Sequence, residues 1–184
     1  WSGSVIPMQD DLKIDSYFSR ILSRPPQAIA QLAGDVSHPN LSGTVKFYQL
    51  GRGVLLSAYF TGLPTENSSC PHRVFGLHIH EKGDCSGNEL DPFANVGSHY
   101  NPAGCQHPDH AGDLPPLIAS GDQAWFAFYT DHFSLWEVLG RSVVVHTNRD
   151  DFTTQPAGDS GSKIGCGTIQ RVDPSPISRP QHTL

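Results

Sequence analysis

The chain has 184 residues, 37% of them hydrophobic, which is enough for one domain with a real core and too little for two. Only 16% of the residues are charged and the formal net charge is −6, which excludes a coiled coil and a disordered acidic chain and argues against a nucleic-acid partner, which would need a basic stripe. No apolar run nears the ~20 residues that cross a bilayer, so no membrane partner is expected.

The first residues, WSGSVIPMQDD, have neither the basic n-region nor the apolar h-region of a signal peptide. Met8 is the sole methionine, so Trp1–Pro7 reads as a remnant of cloning. The compartment is then cytoplasmic if Met8 is the native start, and periplasmic or extracellular if an export signal was removed. Asp11–Leu22 sets Ile14, Tyr17, Phe18, Ile21 and Leu22 at helical spacing, led by aspartates and ended by Pro25-Pro26. This predicts one short amphipathic helix whose stripe packs on the domain or on another subunit.

After Pro26 the pattern changes to period two. AIAQLAGD, LSGTVKFYQL, GVLLSAYFTGL, HRVFGLHIH, AWFAFYT, RSVVVHT and KIGCGTI read as strands, divided by the turns HPN (38–40), GRG (51–53), SGD (120–122) and LGR (139–141). Seven or eight short strands with no helix between them predict an all-β antiparallel sandwich or barrel. The expected layout is an N-terminal extension (1–27), a β domain (28–173) and a C-terminal tail (174–184). Two connections, about 83–115 and 148–162, are too long for hairpins and rich in His, Asp and Cys. Loops of that length are functional or disordered, and metal or disulfides would hold them.

In GLHIHEKGDC (76–85), Phe75, Leu77 and Ile79 share one strand face and His78 and His80 the other. The first long loop contains GSHYNPAGCQHPDHAGDLP, where His99, His107, His110 and Asp113 fall within fifteen residues. Three imidazoles and a carboxylate suit tetrahedral Zn²⁺, although HPDHAGD could also be an ordinary turn. His146 ends the strand RSVVVH on the face of Ser142 and Val144.

Five stretches in register, GLHIHEKGDC, GSHYNP, HPDHAGDL, GRSVVVHTNRDDF and SGSKIGCGTI, resemble the copper/zinc superoxide dismutases over about residues 28–171. The short gap from His107 to His110 and the cysteine straight after HEKGD are similar to the bacterial or extracellular branch. The resemblance implies a flattened eight-stranded antiparallel Greek-key barrel, an immunoglobulin-like sandwich with two long functional loops. It implies copper bound by His78, His80, His99 and His146, and zinc bound by His99, His107, His110 and Asp113, with His99 shared. Asp150 would bridge the outer nitrogens of a copper and a zinc histidine. The reaction implied is conversion of superoxide to O2 and hydrogen peroxide by Cu(II)/Cu(I) cycling, with His99 coupling proton to electron transfer. His38, His72, His132 and His182 match nothing in the family and read as surface residues.

The family usually has an arginine three residues before the last-strand cysteine. Lys163 stands there, keeping the charge and losing the planar donor fork, so anion steering is expected to be cruder. Spacing alone leaves three pairings open for the four cysteines. The family pairing implies Cys85–Cys166, which leaves Cys70 and Cys105 either as a second bridge or as two buried free thiols. A homodimer is common in the family. The alternative reading is a non-catalytic copper- and zinc-binding protein on the same barrel. The chaperone branch needs a Met-x-Cys-x-x-Cys motif, which is absent here.

Overall fold

The computed structural model describes residues 9–172, with side chains described from Asp15 onward. The readings of residues 1–7, of the tail 174–184 and of His182 lie outside the described residues, as does the Ile14 side chain. In chain order the elements are α1 (Gln9–Leu22), β1 (Ala28–Gly34), β2 (Ser42–Leu50), β3 (Gly53–Thr61), β4 (Val74–Phe75) and β5 (Leu77–His80). They continue with β6 (Leu117–Ile118), β7 (Ala124–Thr130), α2 (Leu135–Val138), β8 (Ser142–His146) and β9 (Lys163–Arg171).

Seven strands form one antiparallel sheet in the order β5-β8-β9-β1-β2-β3-β7, and β4 pairs with β6 in a small second sheet. The consecutive hairpins β1-β2-β3 are followed by a chain that returns to the far side of β1, which makes the curled sheet a Greek-key barrel. Alternation sends Ala28, Ala30 and Leu32, Val45 and Phe47, and Val143 and Val145 into one core. On the opposite face, Ile21 of α1 packs on Tyr48 and Leu55, joined by Phe18 and Leu22, while Tyr17 stays exposed. The helix therefore packs on its own domain.

The fold departs from the sequence-based expectation in two places. The expected strand HRVFGLHIH is broken at Gly76, whose N–H donates to Asn148 O (2.7 Å) and whose carbonyl accepts from His146 N (2.9 Å). The chain therefore divides into β4 and β5; β5 pairs with β8, while β4 pairs with β6, a short strand the sequence reading did not include, giving nine strands among the described residues. A helical turn, α2, also lies between β7 and β8, where none was expected. The Ser134 N–H and hydroxyl both donate to the Glu137 carboxylate at 2.7 Å, and Leu135 and Val138 are buried beneath the turn. No helix among the described residues is long and apolar enough to cross a membrane.

Strand β5 ends the seven-stranded sheet, so its outer edge needs backbone partners. Residues 98–114 supply them: Ile79 N donates to Gly112 O, Tyr100 N to Ile79 O and Leu114 N to Leu77 O. The first long loop is thus laid along a strand edge.

Candidate metal centre

On β5 the alternation holds, yet all four side chains are buried, with His78 0% and His80 2% exposed. The histidine face is not solvated because the loop along the strand edge covers it. Backbone bridges pair His80 with His99 and His78 with Asp113, and these bring the loop's donors over the strand's. The result is two donor sets, His78–His80–His99–His146 and His99–His107–His110–Asp113, each with ligand atoms within 4.8 Å of one another.

Hydrogen bonds fix which nitrogen of each ring is bare. His80 Nδ1 faces Gly97 O (2.9 Å) and His146 Nδ1 faces Gly161 O (3.3 Å). A carbonyl only accepts, so both protons sit on Nδ1 and both Nε2 atoms carry lone pairs. Those two Nε2 atoms lie 3.3 Å apart, where two acceptors repel unless a cation lies between them. His78 and His107 use the opposite nitrogen. Their Nε2–H groups donate to the two oxygens of Asp150, at 2.7 and 2.8 Å, leaving both Nδ1 atoms without a hydrogen-bond partner.

The second set is equally short of protons. Asp113 Oδ2 lies 2.9 Å from His107 Nδ1 and 3.2 Å from His110 Nδ1, yet neither nitrogen makes a hydrogen bond. Ligand atoms around a tetrahedral ion with bonds of about 2.0–2.1 Å stand about 3.3 Å apart. The orphaned buried nitrogens and the spacing therefore fit a metal ion in each set. His99 belongs to both sets: Nδ1 lies 2.8 Å from Asp113 Oδ1, and Nε2 has no partner.

The electrostatics agree. Burial lowers His78, brings His80 down to about 3 and takes His146 well below the ordinary imidazole value, so all three are neutral donors at working pH. Burial alone would raise Asp150, but hydrogen bonds from His78, Phe152 N–H and His107 outweigh it and hold the carboxyl at about 2. In Asp113 burial is likewise outweighed, chiefly by His99, and its pKa is lowered.

Sequence reasoning missed several supporting groups. Gln155 clamps the His107 backbone, accepting from its N–H (2.9 Å) and donating to its carbonyl (2.6 Å). Gly158 has φ +65°, and a Cβ there would stand 2.0 Å from Asp150 Oδ1 and 2.6 Å from His107 Nε2. No motif spacing flags either residue. Asp91 is a third. It forms an ion pair with Lys163, for which the sequence reading named no partner; the partner comes from the other long loop.

A cavity of about 730 Å³ opens onto His80, His99, His110 and His146, with Asp91 and Lys163 on its wall. Cys85 and Cys166 form a disulfide with Cα atoms 5.7 Å apart, packed with Phe93, Val96 and Val144. Cys70 and Cys105 are free and exposed, so neither the second bridge nor a pair of buried thiols is found. Cys105 instead sits in an exposed turn held by Asn101, whose side chain bonds its N–H and carbonyl at 2.9 Å. Of the other histidines, His132 is exposed, while His38 (bound to Asp35) and His72 are half-buried.

A Greek-key barrel whose covered strand edge carries two donor sets joined by one imidazole defines a binuclear metalloprotein. The family model for copper/zinc superoxide dismutase (SODC) matches residues 41–169. The chain belongs to that family, and its relatives are named as superoxide dismutases, oxidoreductases acting on superoxide. It is 32% identical over 164 residues to the superoxide dismutase [Cu-Zn] of Paramecium bursaria Chlorella virus 1, covering 80% of each chain. It is 32% identical over 151 residues to that of Deinococcus radiodurans, covering 72% of this chain and 79% of the relative. It is 31% identical over 156 residues to the extracellular superoxide dismutase [Cu-Zn] of Oryctolagus cuniculus, covering 79% of this chain and 61% of that longer protein.

Proposed function

We propose that the chain converts superoxide to O2 and hydrogen peroxide, holding copper with His78, His80, His99 and His146 and zinc with His99, His107, His110 and Asp113. The observation that carries this reading is His99, which belongs to both donor sets. Copper supplies a one-electron couple that oxidises one superoxide and reduces a second, while zinc supplies a fixed charge with no redox change.

The protein's own groups do the rest. The carbonyls of Gly97 and Gly161 and the carboxylate of Asp150 hold the rings of His80, His146, His78 and His107 with their lone pairs inward. His78 is fully buried and does not line the cavity, so the anion arrives on the side of His80, His99 and His146. His99 Nε2 has no protein partner and its ring lines the cavity, so this nitrogen can hold a proton and hand it to the reduced product. Lys163 supplies positive charge at the wall, as a point charge without a guanidinium fork.

The second reading, a non-catalytic copper- and zinc-binding protein, has the same donors but no use for an open cavity with an ammonium beside them. Metal analysis and a superoxide-consumption assay on one sample decide between them. One copper and one zinc per chain with fast consumption are expected; two metals without consumption would establish the second reading. The same proposal takes residues 28–173 as the catalytic unit. It also includes a homodimer, for which exposed Tyr59, Trp125 and Tyr129 on paired β3 and β7 offer an apolar face. Sedimentation velocity giving only monomer would remove the dimer.

A further inference from the structure

Lys163 opens β9 opposite His146, so strand register alone brings its side chain to the cavity. Its ammonium does not stand free there, because it is ion-paired with Asp91 Oδ2. Asp91 is itself fixed: Oδ1 accepts from Phe93 N (3.1 Å), and its carbonyl accepts from Asn88 N (2.9 Å) and Ala94 N (3.1 Å). The segment carrying it is anchored to the same strand by Cys85–Cys166 and to the neighbouring β8 by the packing of Phe93 and Val96 on Val144. Besides histidines, the charged side chains along the cavity are Glu81, Asp91 and Lys163, so acidic groups outnumber the one cation on that wall.

We propose that Asp91 is a positioning residue that pins the Lys163 ammonium to the cavity wall and neutralises part of its field, thereby setting the anion affinity of the mouth. This rests on the dismutase reading only for the identity of the anion. Asp91→Asn frees the ammonium to approach an anion near the donors, and one unit charge brought to about 6 Å in a water-like medium is worth about threefold in affinity.

The probe is azide, titrated optically against copper in the copper- and zinc-loaded protein at low salt. Asp91→Asn should tighten azide about threefold, and the gain should fade near 1 M salt, where the Debye length is about 3 Å. Asp91→Glu should restore the native value, and in a Lys163→Met background Asp91→Asn should change little. Unchanged or weaker azide binding in Asp91→Asn overturns the proposal. So does an equal gain in the Lys163→Met background, since Asp91 would then act by its own charge. A readout independent of copper is the Lys163 Nζ–H signal in NMR. It should be visible when the ammonium is held and shielded from exchange, and lost in Asp91→Asn; a native ammonium in free exchange refutes the pairing. A protein that shows this azide pattern and consumes no superoxide would leave the role of Asp91 standing and sink the dismutase reading.

Discussion

Replacing Asp150 with alanine removes two acceptors at once. Its oxygens take the Nε2–H of His78 at 2.7 Å and of His107 at 2.8 Å, and those bonds keep both Nδ1 atoms bare. Losing an outer partner of this kind costs about 10–100-fold in metal affinity. That is about 1.4–2.7 kcal/mol at each of the two sites, because His78 and His107 belong to different donor sets. Asparagine should do little better than alanine. It keeps one oxygen for one ring but turns an NH₂ toward the other, whose proton must then move to the nitrogen that faces the metal. The control is the neighbour Asp151, whose carboxylate caps Thr153 and Thr154 N–H at 2.8 Å in the exposed loop, so Asp151→Ala should leave both affinities alone. Competition with a chromophoric chelator, run separately for zinc and copper at one neutral pH, measures each site, since protons compete with metal. If Asp150→Ala binds both metals within twofold of native, the bridging carboxylate does not orient the rings and the reasoning fails.

Gly158→Ala should lower zinc affinity more than Asp151→Ala does, because its Cβ would stand 2.0 Å from Asp150 Oδ1; chelator competition with native-like zinc binding would contradict this. Cys166→Ser opens a disulfide spanning 81 residues, worth about 4.5 kcal/mol in the chain-entropy model, and urea unfolding of the metal-free protein with a loss below about 1 kcal/mol would count against it. Lys163→Glu shifts the charge at the cavity wall by two units and should slow superoxide consumption about tenfold at low salt with both metals retained, while Lys163→Arg should hold or raise the rate; pulse-radiolysis rates within twofold for native and Lys163→Glu would move steering elsewhere. In the metal-free protein, buried His78, His80 and His146 have lowered folded values, so the unfolded chain binds more protons below about pH 6.5. Stability should therefore be full above that pH and fall as pH drops toward about 3, the His80 value; urea midpoints that stay flat from about pH 7 to pH 4 would refute it.

The legibility of fold and site in the sequence depends on how far apart in the chain the interacting groups lie. His78 and His80 are two residues apart on a strand, so period two alone puts them on one face. His107, His110 and Asp113 lie on one turn, and their spacing is visible in the text of the sequence. The Ser134–Glu137 capping pair was equally visible but sits in a helix of only four residues, too short for a periodic signal. Asp91 and Lys163 are 72 residues apart and Gly158 meets His107 across the two long loops. Contacts of that kind have no period and no motif, so only the folded chain reveals them. The break at Gly76 is similar, because its cause is a hydrogen bond to Asn148 in a distant loop.

The edge strand also explains why the donors can be so dry without a large surrounding domain. An uncovered β5 would expose a row of unpaired backbone groups. The loop that pairs with that edge carries His99, His107, His110 and Asp113, so edge protection and metal binding are performed by the same fifteen or so residues. The second long loop contributes no side chain to either donor set. It contributes Asp150, the Gly161 carbonyl and the close approach of Gly158, all of which act on rings that other segments supply. The first loop therefore determines which atoms converge, because backbone bonds to β5 fix its register. The second determines which nitrogen of the His78, His107 and His146 rings is bare, and so whether the converged atoms can bind a metal.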